Sequence, residues 1–264
     1  MSSKQKGTYG QENYLELGSE LLKLTKGNAK LTKQTLIFSL PAGYTCPAAR
    51  TCKTFCTQKK DGHYTIKGNT NNTLFWCYAA GEEVRFPNVR KLRRRNYTLL
   101  RNLKTKDEIV KLLTRSLLLH TDFDKVRIHG SGDFYSEAYF LAWAHVAREN
   151  PKILFYAYTK SLEYWTKHMN EVPDNLILTA SYGGIHDAVI KKHDLRYVKV
   201  AFSLKDAGDL PIDHDDTLAY DNSVKAFAIL LHGMQPQGSE ASKSLIAMRK
   251  NKVKFSYPPK AVLV

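Results

Sequence analysis

Six short apolar runs, most of them separated by helical segments, constrain the fold of this chain more than any other feature. They are residues 34–40 (QTLIFSL), 125–129 (KVRIH), 153–158 (ILFYAY), 176–180 (LILTA), 197–202 (YVKVAF) and 226–231 (AFAILL). Each is rich in β-branched or aromatic residues and too short for a helix, so each reads as a strand. Helical spacing appears over 87–104, 106–120, 136–148 (opened by Ser136 as N-cap), 161–169 and 238–251, with a further short strand expected near 253–256. Apolar strands joined by crossover helices assemble into a parallel sheet covered on its faces. The expected fold class is therefore α/β: a partial (β/α) barrel, a parallel sheet with outer helices. A doubly wound sheet is the other arrangement that fits. No repeat or low-complexity linker interrupts the chain, so residues 1–264 read as a single domain.

With 43% hydrophobic residues, a chain of this length buries a core without disulfide staples. No apolar run approaches the roughly 20 residues that cross a bilayer. The start, Met1-Ser2-Ser3-Lys4-Gln5-Lys6, lacks the apolar stretch of a signal peptide. The expectation is a cytoplasmic protein with no membrane partner. The formal net charge is +15, a field that attracts polyanions, nucleic acid first among them. The charge is densest in a basic helical segment, residues 85–120. Arg85, Arg90, Lys91, Arg93, Arg94, Arg95, Arg101, Lys104 and Lys106 occur there with no acidic residue up to position 106. On a helix they would form a cationic face, and Arg90, Lys91, Arg93, Arg94 and Arg95 are the expected nucleic-acid contacts. A merely solvated helix face is the alternative. Tyr97, Tyr156, Tyr158, Tyr164 and Trp165 would either stack on bases or fill the core.

In parallel α/β folds, functional groups gather on the loops after the strands. Here the first strand is followed by a cysteine-bearing segment, residues 41–80, with the spacing C-x5-C-x3-C-x20-C. Four clustered thiols in a cytosolic chain point to a metal or an iron–sulfur cluster. The spacing lacks the paired C-x2-C knuckles of structural zinc. Cys46, Cys52, Cys56 and Cys77 are therefore expected to ligate an iron–sulfur cluster, with a four-cysteine zinc site as the alternative. Lys160, at the end of the third strand, is a candidate for an anionic substrate or cofactor carboxylate, or else a surface lysine. His129 and His232 also end strands, as site groups or structural histidines. The acidic run 213–216 (DHDD) either binds a divalent ion or is a solvated loop, the latter being the expectation. No phosphate loop, nucleophile elbow or zinc-deaminase pattern occurs.

Taken together, FSLPAGYTCP (38–47), IHGSGDFYS (128–136) and FYAYTKS (155–161) resemble the bacteriophage gene product 88 family, over about residues 34–258. A cysteine loop directly after the first strand of a partial barrel is similar to the radical S-adenosylmethionine (SAM) superfamily. That resemblance implies a [4Fe–4S] cluster at the barrel mouth. It also implies a SAM seat, formed by the glycine-rich acidic turn with Ser131, Gly132 and Asp133. The superfamily's usual C-x3-C-x2-C spacing is matched only by Cys52 and Cys56, and ligation by all four cysteines would leave no iron for SAM. Two functions follow as expectations. One is a radical-SAM-like enzyme acting on or binding nucleic acid or a nucleotide-derived substrate, in the host cytoplasm if phage-encoded. The other is a non-enzymatic polyanion-binding protein with a closed four-cysteine structural or redox-sensing cluster, or zinc.

Overall fold

A computed structural model describes residues 21–28, 31–68 and 72–254. The strands are β1 Thr25–Lys26, β2 Thr35–Ser39, β3 Thr54–Gln58, β4 Tyr64–Gly68, β5 Lys125–Ser131, β6 Leu154–Thr159, β7 Leu176–Ser181, β8 Tyr197–Ala201 and β9 Ala226–Leu230. The helices are α1 Tyr78–Arg85, α2 Pro87–Arg101, α3 Lys106–Leu117, α4 Glu137–Arg148, α5 Leu162–Lys167, α6 Ala188–Lys192, α7 Leu204–Ala207, α8 Thr217–Tyr220 and α9 Glu240–Lys250.

The main sheet has the order β1-β2-β5-β6-β7-β8-β9. β1 runs antiparallel to β2, and every other neighbouring pair is parallel. The six expected strands are the six parallel ones. Their order never reverses, so the sheet has no switch point of the doubly wound kind. Nor does it close: β1 and β9 end it, and the expected barrel is an open, mostly parallel sheet. Val253 and Lys254 are not in a strand, while 255–256 and the N-terminal residues 1–6 lie outside the described residues.

Local chemistry sets the helix ends. Thr105 caps α3 in a reciprocal capping box with Glu108. Ser136 caps α4 by accepting from the Tyr139 amide. Pro87 opens α2 and forbids α1 from running on through Phe86, which is extended. One face of the sheet packs Leu36, Phe38, Val126, Ile128 and Phe155 against α3 and α4. Tyr156, Ile177 and Phe227 belong to a second cluster that includes Ala219 of α8. The cysteine segment contains the antiparallel β3–β4 hairpin and the start of α1.

Candidate active site

The loops after β2, β5, β6, β7 and β9 open onto one cleft at the carboxyl edge of the sheet. It spans ≈ 1090 Å³, its open mouth included, and its walls are largely apolar. Cys46, Cys52 and Cys77 line it, together with His129, Ser131, Gly132, Asp133 and Lys160.

Hydrogen bonds between distant loops hold the cysteine segment in place. The Gly183 carbonyl accepts from the amides of Arg50 and Thr51, both at 3.0 Å, and the Ala48 carbonyl accepts from Ile185 N at 2.9 Å. The Cys77 amide donates to Thr54 Oγ1 at 3.0 Å. The Trp76 amide donates to Gln235 Oε1 at 2.8 Å, and Gln235 Nε2 returns a bond to Trp76 O. Gly132 has φ +90, and a Cβ there would lie 2.6 Å from Thr45 Oγ1 and 2.7 Å from Leu40 Cβ. Only glycine lets the β5 turn pass this close to the cysteine loop.

Three of the four expected thiols line the cleft, and the fourth does not. All four are unbridged. Burial raises the Cys46 thiol well above its ordinary pKa, and Asp133, Cys77 and Cys52 add to the rise. Burial, followed by Cys52, pushes Cys77 up to about 12, opposed by the amides of Ala79 and Ala80 at the start of α1. Cys56 faces elsewhere. It sits fully buried in β3 opposite Ile66 of β4, and its charged neighbours are Glu83, Arg94 and Arg90. Among the described residues, no three His, Cys, Asp or Glu side chains are grouped around a single metal-ion position.

The side chains expected to seat a charged cofactor are engaged within the protein. Asp133 accepts three hydrogen bonds: from Phe134 N at 2.7 Å, Thr159 Oγ1 at 2.6 Å and Lys160 N at 2.8 Å. Burial nonetheless raises its pKa to about 6. Lys160 Nζ donates to Ser181 O at 3.0 Å, Ser181 Oγ at 2.6 Å and Tyr182 O at 2.8 Å, which uses all three of its protons. Ser131 Oγ donates to Leu40 O at 2.8 Å. These groups clamp neighbouring strand ends together.

The basic helix differs from its expected role in the same way. Arg90, Arg93, Arg94 and Arg95 are buried, and only Lys91 of the five expected nucleic-acid contacts is exposed. Arg90 donates to Glu83 O at 2.7 Å and lies 3.5 Å from the centre of the Tyr64 ring. Arg93 donates to Ala79 O at 2.8 Å and pairs with Glu82 and Glu83. Arg94 donates to Cys56 O at 2.7 Å and Arg95 to Leu21 O at 2.6 Å. Guanidinium forks tolerate burial where carbonyls and carboxylates meet their donors. Arg85, Arg101, Lys104 and Lys106 remain at least partly exposed.

Arg127, a polar group of the cleft, was not singled out by the sequence reading, and Asp216 entered it only as part of the acidic run. Arg127 and Asp216 form a buried ion pair at 3.0 Å. Tyr156 donates to Asp216, and Tyr158 to Asp213. The acidic run is thus docked on the sheet through Asp213 and Asp216, both buried, and is not a wholly solvated loop.

His129 is 4% exposed and has φ +70, a left-handed conformation rare for a residue with a side chain. Phe38, Phe134 and Tyr139 surround its ring, and Nε2 lies 3.0 Å from Tyr139 Oη. Burial lowers its pKa to about 3, against about 6.5 in the unfolded chain. Below pH 6.5 the unfolded state takes up a proton that the native state refuses, so stability falls with pH until the native pKa is reached. Between pH 7 and 5 this group costs about 2 kcal/mol. Urea titrations of the protein and of a His129→Asn variant, whose replacement residue tolerates the left-handed backbone, should show the slope flattened in the variant.

The comparisons agree with the short blocks noted in the sequence. Gene 88 proteins of Mycobacterium phages L5 and D29 are each 34% identical to the chain over 90 residues, covering 32% of this chain and 38% of the relative. No solved structure matches. No helix among the described residues is long and apolar enough to cross a membrane. A family model described as Gene product 88 matches residues 22–250, and the chain belongs to the Gene product 88 family.

Proposed function

We propose that this protein holds an iron–sulfur cluster through Cys46, Cys52 and Cys77 at the carboxyl edge of its sheet, beside a cleft that binds a small, nucleotide-derived ligand. The observation that carries the reading is the meeting of three thiols from one segment on one cleft wall, with Cys56 directed elsewhere. The Cys46 and Cys77 thiols, whose ionisation burial and the neighbouring thiols oppose, are in an arrangement that a cationic centre reverses. Zinc would require its sulfurs to converge within about 2.3 Å of one point. A cluster distributes its thiolates over several irons. Three thiolates leave one iron of a [4Fe–4S] cluster without a cysteine, which favours this reading over a closed four-cysteine centre. Such a cluster supplies one-electron chemistry when bound. The chain's own residues orient it: the amides of Ala79 and Ala80 face the Cys77 sulfur, and the strand-end clamps of Asp133 and Lys160 hold the cleft walls.

SAM fits less well. Ser131, Asp133 and Lys160, the side chains expected to seat it, already bond to the protein, so no step is assigned to that cofactor. The outward-lying Arg85, Lys91, Arg101, Lys104 and Lys106 support a polyanion contact outside the cleft.

Anaerobic reconstitution with iron and sulfide, followed by metal analysis and Mössbauer and electron paramagnetic resonance spectroscopy, tests the proposal. The expected product is brown and carries several irons per chain, with one iron site spectroscopically distinct. A colourless protein that retains zinc in preference to iron overturns it. Oligonucleotide binding, measured in parallel, should weaken steeply with salt; a contact indifferent to ionic strength removes the polyanion surface from the reading.

A further inference from the structure

The loop after β9, residues 232–236 (HGMQP), reaches the residues on both sides of Cys77. On one side Gln235 meets the backbone of Trp76 twice. Its Oε1 accepts from the Trp76 amide at 2.8 Å, and its Nε2 donates to the Trp76 carbonyl at 3.0 Å. The second Nε2 proton goes to His232 O at 3.3 Å. A carboxamide carries a donor and an acceptor in one plane, so it pairs with both backbone groups of a single residue, as a neighbouring strand would.

On the other side, the His232 ring lies 4.8 Å from the Tyr78 ring. Gly233 has φ +83, and a Cβ there would stand 2.8 Å from Tyr78 Cβ, so only glycine lets the loop come this close. Tyr78 Oη in turn donates to Gly130 O of β5. Trp76, Cys77, Tyr78 and His232 all line the cleft.

These contacts supply what the local chain cannot. The whole β3–β4 hairpin separates Cys77 from Cys46 and Cys52, and an intervening stretch of that length leaves its two ends many relative positions. The amide of Cys77 donates to Thr54 Oγ1, a bond internal to the cysteine segment. Gln235 comes instead from beyond β9, the last strand of the sheet, whereas the cysteine segment leaves from β2, next to the other end.

We infer that Gln235 is the positioning residue for Cys77: its paired bonds to Trp76 fix the backbone that carries the Cys77 sulfur on the cleft wall occupied by Cys46 and Cys52. The purpose of that placement rests on the proposed three-thiol centre, but its test does not.

The test reads the thiols one by one in the full chain, stripped of metal with a chelator. Each is alkylated with iodoacetamide under native conditions, and the time course is followed by mass spectrometry of its peptide. In Gln235→Ala, Cys77 should be alkylated about 10-fold faster, the effect of losing two hydrogen bonds that oppose local opening. Cys46 and Cys52, on the loop held by Gly183, should keep their rates. Cys56, fully buried in β3, reports any general loosening of the fold and should also be unchanged. Gln235→Met fills similar space without either bond, so it should match the alanine variant, and it replaces that variant should the latter fail to fold. After reconstitution with iron and sulfide, both variants should surrender iron to a chelator several-fold faster than the wild type. Three results overturn the inference: a Cys77 rate that neither variant changes, an acceleration shared by all four thiols, or iron retained equally by variants and wild type. A selective Cys77 effect in a protein whose wild type takes up no iron would keep the positioning role and discard the cluster.

Discussion

Cys46→Ala, Cys52→Ala and Cys77→Ala should each leave the reconstituted protein with little or no iron and sulfide, whereas Cys56→Ala should retain both. The asymmetry comes from the fold. Cys46 and Cys52 lie on a loop laced to the β7 turn through Gly183, and Cys77 stands at the N-terminus of α1 with two amides directed at its sulfur. Cys56 belongs to β3, where it behaves as a small buried hydrophobe between Ile66 and the Arg94 guanidinium. Burial holds its thiol at about 11, above the ordinary cysteine value, with Glu83 adding to the rise. Its replacement should cost stability of about 1 kcal/mol, typical of point substitutions. Iron and sulfide content per folded chain is the measurement, with urea midpoints to separate ligation from folding. Equal loss in all four variants, with Cys56→Ala still folded, would restore a four-cysteine centre and sink the three-thiol reading.

Arg93→Ala should destabilise the protein by about 3–5 kcal/mol, the usual result of stripping the partner from a buried charge. Glu83 is wholly buried and Arg93 nearly so. Glu83 Oε1 accepts from the Ala42 amide at 2.9 Å and faces Arg93 Nη1 at 3.4 Å. Burial raises the Glu83 pKa, and Arg93 is the largest influence opposing that rise. Without Arg93 the carboxylate must either stay charged and unpaired or take up a proton. The Arg93 fork also holds Ala79 O and Glu82, so it ties α2 to α1, and Glu83 in turn ties α1 to the start of the cysteine segment through the Ala42 amide. A double variant with Glu83→Gln should recover part of the loss, because it removes the stranded charge. Denaturant unfolding gives both numbers. A loss in Arg93→Ala below about 1 kcal/mol would place the pair among weakly coupled surface contacts, whose worth is small.

The sheet was legible because its signals are local. Each parallel strand is a short apolar run that must bury both faces, and each carries that requirement in its own residues. Ser136 announces its helix by the amide it caps, three residues on. The gathering of polar groups at the carboxyl edge follows from the strands alone, since parallel strands all end at the same edge. The family likeness likewise rests on blocks at three strand ends. Less was visible where elements are short. β1, α6, α7 and α8 span two to five residues, too few to show a period. The β3–β4 pairing lies inside a polar stretch whose only cue was its turn.

What the residues determined by themselves is the parallel α/β sheet and the edge at which its chemistry must lie. What only the tertiary structure decided is which groups at that edge are available. Nine basic residues without an acid read as a cationic face, yet the acceptors that draw Arg90, Arg93, Arg94 and Arg95 inward are mainly carbonyls of Leu21, Cys56, Ala79 and Glu83. A backbone carbonyl is present at every residue and leaves no mark in composition or spacing. Carbonyls also occupy Lys160 and Ser131, amides and a hydroxyl occupy Asp133, and Cys56 is parted from the other thiols by its place in the β3–β4 hairpin. Hydrophobic periodicity is written along the chain, but hydrogen-bond partnership depends on which segments meet in space, and at this site that partnership separates scaffold from reactive group.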